Sequence, residues 1–149
     1  MKILVDADAC PVKEIIVKIA KKFSLEVTMF IDTSHQHNDG YSKVITVDKG
    51  PDSVDFALVN KLAKGDIVVT QDYGLAAMCI GKGAKALSQN GLIYSDQNMD
   101  KLLFERHLGQ KIRRGGGRTA PIKRRVQEDN DKFERVFVTL VTEQLGEIN

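Results

Sequence analysis

Lys2-Ile3-Leu4-Val5-Asp6-Ala7-Asp8-Ala9-Cys10-Pro11 is the stretch on which the fold of this chain turns. Lys2 to Val5 is a short apolar run closed by Asp6, and it reads as a buried strand. Pro11 suits the first position of a helix, where its missing N–H costs nothing. Val12, Ile15, Ile16, Ile19, Ala20 and Phe23 then recur at three- and four-residue steps, forming one apolar stripe. Lys21 and Lys22 complement the negative end of that helix's dipole. A strand running straight into an amphipathic helix is the building unit of an α/β sheet.

The same alternation continues outward. Further strands are expected at Val27–Ile31, Val44–Val47, Ile67–Thr70 and Ala84–Leu87, with a short piece at Leu92–Tyr94. Asp32 to Tyr41 is polar loop, and Asp48-Lys49-Gly50-Pro51 turns the chain. Helices are expected from Asp52, with Val54, Ala57, Leu58 and Leu62 inward, at Gly74–Ile80, at Met99–Leu108, and from about Glu128 to Leu145. In the last of these, Phe133, Val136, Phe137, Leu140, Val141 and Leu145 make the core face. The pattern predicts an α/β domain with a mostly parallel sheet and right-handed crossovers. A chain of 149 residues fits one domain over 1–149. Ligands of such sheets bind beyond the carboxyl ends of the strands, where the strand order reverses.

Bulk properties narrow the function classes. A hydrophobic content of 42% supplies a core, and no apolar stretch is long enough to span a membrane. The acidic start and its short apolar run do not suit a signal peptide, so a soluble cytoplasmic protein is expected. Cys10 and Cys79 are the only cysteines and form no C-x-x-C pair, which argues against a zinc or disulfide framework. The net charge of +2 hides an asymmetry. Lys111, Arg113, Arg114, Arg118, Lys123, Arg124 and Arg125 give the segment Gln110–Arg125 a charge of +7 with no acid, leaving −5 on the rest. That segment reads as a basic loop broken by Gly115-Gly116-Gly117, able to contact phosphates through salt-sensitive, sequence-independent interactions. The competing reading is a solvated loop.

The acids carry the chemistry. Asp6 closes the first strand, Asp8 follows in the turn, and Asp72 lies just past the fourth strand. Asp52 and Asp55 share the first turn of a helix. All five are expected at one edge of the sheet. Clustered carboxylates either rise in pKa or hold a cation. An all-oxygen set favours Mg²⁺ or Mn²⁺, one or two ions, which can polarise a phosphodiester and activate water. Asp52 and Asp55 are equally explained as helix-capping and dipole residues, Asp72 as a turn residue, and Asp8 as a partner of the first helix. His35 and His37 read as surface residues, with the alternative that on an extended segment the pair shares a face and holds a metal, and Lys13 reads as a solvated lysine that is also placed to hold a phosphate.

The residues also carry a resemblance. Val5-Asp6-Ala7-Asp8-Ala9-Cys10-Pro11-Val12-Lys13 resembles the opening motif of the YaiI/YqxD family, a bacterial group assigned to the PIN-like nuclease superfamily. Lys49-Gly50-Pro51-Asp52-Ser53-Val54-Asp55 resembles its second motif, and Val69-Thr70-Gln71-Asp72-Tyr73-Gly74-Leu75-Ala76 its third. Arg118-Thr119 with Pro121 and Lys123, then Asp129 and Phe133, resembles the basic C-terminal motif, with Ala120 and Asn130 departing from it. The resemblance implies a three-layer PIN-like fold with strand order 3-2-1-4-5. It also implies Asp6, Asp52 or Asp55, and Asp72 as metal ligands, with Asp8 a ligand or a supporting acid. By that likeness the function would be metal-dependent hydrolysis of RNA, with Asp6, Asp8 and Asp72 as the catalytic acids. A non-catalytic nucleic-acid-binding module fits the same residues. A haloacid-dehalogenase-type phosphatase also matches Asp6-x-Asp8, but a helix starting at Pro11 leaves no room for its flap. Whether the chain is a monomer or a homodimer stays open.

Overall fold

The computed structural model describes residues 1–118 and 123–148. Thr119, Ala120 and Pro121 of the C-terminal motif lie outside the described residues. The elements run β1 (Ile3–Asp6), α1 (Lys13–Lys22), β2 (Val27–Asp32), β3 (Lys43–Val47), α2 (Ser53–Lys61), β4 (Ile67–Val69), α3 (Tyr73–Gly81), β5 (Lys85–Leu87), α4 (Asp96–Arg114) and α5 (Gln127–Ile148).

Every ladder between neighbouring strands is parallel, and the order is β3-β2-β1-β4-β5. β1 therefore lies at the centre, paired with β2 on one side and β4 on the other. The chain's order reverses there, so a crevice opens at the carboxyl ends of β1 and β4.

Two cores make three layers. Ile3, Val5, Met29, Ile67 and Val69 face α1 and α5, where Ile16, Ala20, Phe133, Phe137 and Val141 are buried. Leu4, Phe30, Val68 and Ala86 face the other way, onto Leu58 of α2, Leu75 and Cys79 of α3, and Met99 of α4. The central strand is apolar on both faces because helices cover both. Phe133 and Phe137 stack with ring centroids 5.3 Å apart beneath the sheet, so the apolar stripe of α5 is core.

Four local expectations need correction. Pro11 stands in the turn before α1, whose N-cap is Val12, rather than in its first turn. Leu92–Tyr94 adds no strand, only a single antiparallel pairing of Ile93 with Leu87. The helix expected to end at Leu108 runs on to Arg114. The start of the expected basic loop, Gln110 to Arg114, is therefore helical. A capping box between Ser95 and Asn98 starts α4, and Lys111, Arg113 and Arg114 stabilise its last turn against the dipole. The apolar pattern fades along the later turns, where Leu108 and Ile112 are exposed, so periodicity alone stops short.

Candidate functional site

The strand period sets the direction of Asp6. Ile3 and Val5 face α1 and α5 while Leu4 faces α2 and α3, so Asp6 projects on the side of Leu4. That is the side on which Asp55 stands in the first turn of α2 and Asp72 at the N-cap of α3. Thr70, 2% exposed just past β4, ties two of these together. Its hydroxyl donates to Asp6 Oδ2 at 2.8 Å and accepts the Asp72 amide at 3.0 Å. The Thr70 carbonyl accepts the Tyr94 hydroxyl at 3.0 Å, which fixes the turn from below. Asp72 Oδ1 also accepts the Leu75 amide at 3.2 Å, so the turn role and the site role fall on one residue.

The charge of Asp72 acts on both Asp6 and Asp55. Burial pushes the Asp6 carboxyl above its usual range; the Thr70 hydroxyl opposes this, and the charges of Asp72 and Asp8 add to it. Asp55 is pushed up to about 6, first by burial and then by Asp72, Asp6 and Asp52. Such a group is half-ionised near pH 6, and its ionised form gains from a cation.

Asp52 and Asp8 sit differently. Asp52 occupies the N-cap position of α2 with a left-handed backbone (φ 64°), and its side chain makes no capping hydrogen bond. It is exposed at the rim. Asp8 borders a small cavity with Asp6 and Thr70 but directs its hydrogen bond towards β2, and a left-handed Ala9 (φ 56°) follows it in the turn. Its Oδ2 accepts the Asp32 amide at 3.2 Å, and its buried Oδ1 lies 3.0 Å from His35 Nδ1 without a well-formed hydrogen bond. His35 Nδ1 is also 3.0 Å from Asp32 Oδ1. Asp32 is held down at about 2, by the Ser34 hydroxyl first and then by His35. Ligand atoms of Asp8, Asp32 and His35 all lie within 4.8 Å of one another, the only such trio among the described residues. The five aspartates thus divide into an Asp6–Asp55–Asp72 centre with Asp52 at its rim, and an Asp8 pocket beside it. His37 pairs separately with Asp39 at 2.6 Å, so the two histidines do not converge.

The basic residues also divide. Lys111, Arg113 and Arg114 are on α4, while Arg118, Lys123 and Arg124 are exposed beyond it. Arg125 is a strut: its guanidinium donates to Asn130 Oδ1 at 2.8 Å, Asn90 Oδ1 at 2.6 Å and the Gln89 carbonyl at 2.8 Å. Lys13 donates back to the Ala7 carbonyl at 3.1 Å. Arg113 joins Arg106, Leu102 and Tyr73 in lining an open cleft of about 900 Å³ whose floor includes Asp6 and Asp72. Thr70, Tyr73 and Arg106 were not singled out by the sequence. Thr70 carried a signal, standing one residue past an apolar strand, whereas Arg106 shares a face with Arg113 only once α4 is known to continue.

The class of molecule is now defined: a parallel α/β domain with a carboxylate centre at its strand switch point, facing a basic helix across a cleft. Residues 4–143 match the family model described as an uncharacterised YaiI/YqxD family, and the chain belongs to that family. A UPF0178 protein of Ruminiclostridium cellulolyticum is 66% identical over 141 residues, covering 95% of this chain and 92% of the relative. One from Alkaliphilus oremlandii is 50% identical over 148 residues, covering 99% and 96%. One from Exiguobacterium sibiricum is 46% identical over 144 residues, covering 97% and 99%. No solved structure matches the chain. Among the described residues no helix is long and apolar enough to cross a membrane.

Proposed function

We propose that this chain is a cytoplasmic, PIN-like, metal-dependent nuclease that hydrolyses phosphodiesters of RNA. The observation that carries the reading is the Asp6–Asp55–Asp72 centre, three carboxylates from three elements at the switch point, with Asp55 pushed up to about 6 by burial and its neighbours. All its donors are oxygens, which suits Mg²⁺ or Mn²⁺. The three lack mutually close ligand atoms, unlike the Asp8 trio. That spacing fits Mg²⁺, which keeps several waters and takes only one or two carboxylates, the substrate phosphate supplying further oxygens. When bound, the metal supplies Lewis-acid polarisation of the phosphodiester.

The chain's own residues supply the rest. Thr70 orients Asp6 through its hydroxyl and Asp72 through the amide it accepts. The cations of α4 offset the phosphate charge. Titration with Mn²⁺ followed by incubation with single- and double-stranded RNA and DNA tests this. Cleavage lost in Asp6→Asn and Asp72→Asn supports the reading, and the absence of any metal binding overturns it.

A further inference from the structure

Among the described residues Tyr73 is the one aromatic lining the cleft, and it directly follows Asp72, whose carboxylate belongs to the acidic centre. Its ring is half-buried at the edge of the second core and meets Tyr94 in a T-shaped contact, with centroids 5.9 Å apart and planes at 65°. Tyr94 is 3% exposed and anchored through its hydroxyl to the Thr70 carbonyl. The Thr70 hydroxyl in turn holds Asp6 and the Asp72 amide. One threonine therefore fixes both the backing of the Tyr73 ring and two of the carboxylates. A T-shaped contact covers at most one face of a ring, so Tyr94 leaves the other face of Tyr73 uncovered. Among the described residues no hydrogen bond holds the Tyr73 hydroxyl, so a stacking partner would displace none.

Charge does not choose the form of the ligand here. Asp6, Asp72 and Glu105 line the cleft together with Arg106 and Arg113, and Arg113 is already engaged within the protein. A cleft working by charge alone would take a duplex at least as readily as a single strand, because the duplex carries more charge per unit length. An aromatic face selects the other way. Bases in a duplex are stacked on one another, whereas an unpaired base offers its face to a side chain.

We infer that Tyr73 is a stacking platform for an unpaired base, which brings the phosphate of that nucleotide to Asp6 and Asp72 and makes the cleft selective for single strands over duplex. The inference rests on the nuclease reading and names the substrate class of its site. The platform is rigid before the strand arrives, because Tyr94 and Thr70 hold it from within the fold.

The test is anisotropy of fluorescein-labelled strands against the full-length protein, with Ca²⁺ replacing Mg²⁺ to hold off turnover. The probes are rU12, an abasic ribose-phosphate strand of the same length, and rU12 paired with rA12. The wild type should bind rU12 about tenfold more tightly than the abasic strand, the effect of one stacked base, and more tightly than the duplex. Tyr73→Leu should lose that preference and bind the abasic strand as the wild type does, while Tyr73→Phe keeps it. Equal affinity of the wild type for rU12 and the abasic strand, or a duplex bound as tightly as rU12, overturns the platform and leaves the nuclease reading standing. That comparison needs no variant, so it decides even where Tyr73→Leu does not fold. A leucine variant that keeps the preference also overturns the platform, as does one that weakens both single strands alike, the mark of a packing role. If the wild type binds none of the probes, the nuclease reading falls and the platform with it.

Discussion

Replacing Asp55 by Asn should stabilise the metal-free protein and at the same time remove its response to metal. Folding raises the Asp55 carboxyl from 3.8 to about 6. That rise corresponds to about 3 kcal/mol if burial were complete. The side chain is partly open to solvent, so screening leaves about 1 kcal/mol. Well below pH 3.8 the group is protonated in both folded and unfolded chains and costs nothing. As pH rises from 4 to 6 the unfolded chain loses its proton first, and the folded state is progressively penalised. Above pH 6 the penalty is constant. Asparagine keeps the shape and carries no such penalty. In EDTA at pH 7.5, Asp55→Asn should therefore melt about 2–4 °C above the wild type, the difference shrinking by about half or more at pH 4. Added Mn²⁺ should reverse the order. A ligand at 100 times its Kd contributes about 2.7 kcal/mol to the wild type, and the variant should gain far less. Differential scanning calorimetry with and without Mn²⁺, at both pH values, reads all four combinations. A variant no more stable than the wild type in EDTA at pH 7.5, or one with an undiminished Mn²⁺ response, would refute the argument.

Thr70→Val removes the hydroxyl that donates to Asp6, so the Asp6 carboxyl should rise further and Mn²⁺ affinity should fall more at pH 6 than at pH 8, as read by calorimetric titration. Arg125→Ala leaves Asn90, Asn130 and the Gln89 carbonyl without their shared donor, and should cost about 2 kcal/mol in a urea unfolding series. Phe133→Ala opens a hole in the stacked pair under the sheet and should cost about 3–5 kcal/mol by the same measurement.

The elements from β1 to β5 were legible because their patterns are short and periodic. The run Ile3–Val5 is apolar on both faces, and the helices that cover it repeat at three- and four-residue steps. Asp6 and Asp72 were legible for the same reason, as polar residues where apolar strands stop. The later turns of α4 were not legible, because Leu108 and Ile112 on the outer side are exposed and the cleft side carries arginine and glycine. Neither a hydrophobic stripe nor a uniform polar loop describes such a helix, and its cations were consequently assigned to a loop.

The sequence alone determined that carboxylates gather at one edge of a parallel sheet, because strand-end positions and the alternation of strands with helices are local properties. Only the tertiary structure decided which of them meet. β1 lies between β2 and β4, so a two-residue step from Asp6 to Asp8 moves a carboxylate's hydrogen bond from the β4 side to the β2 side. Asp52 and Asp55, three residues apart, end one at the rim and one half-buried, because α2 packs one side of its first turn against the sheet. Sequence spacing sets the faces of an element, but packing sets which face another element covers, and the charge, pKa and partners of each aspartate follow from that second choice.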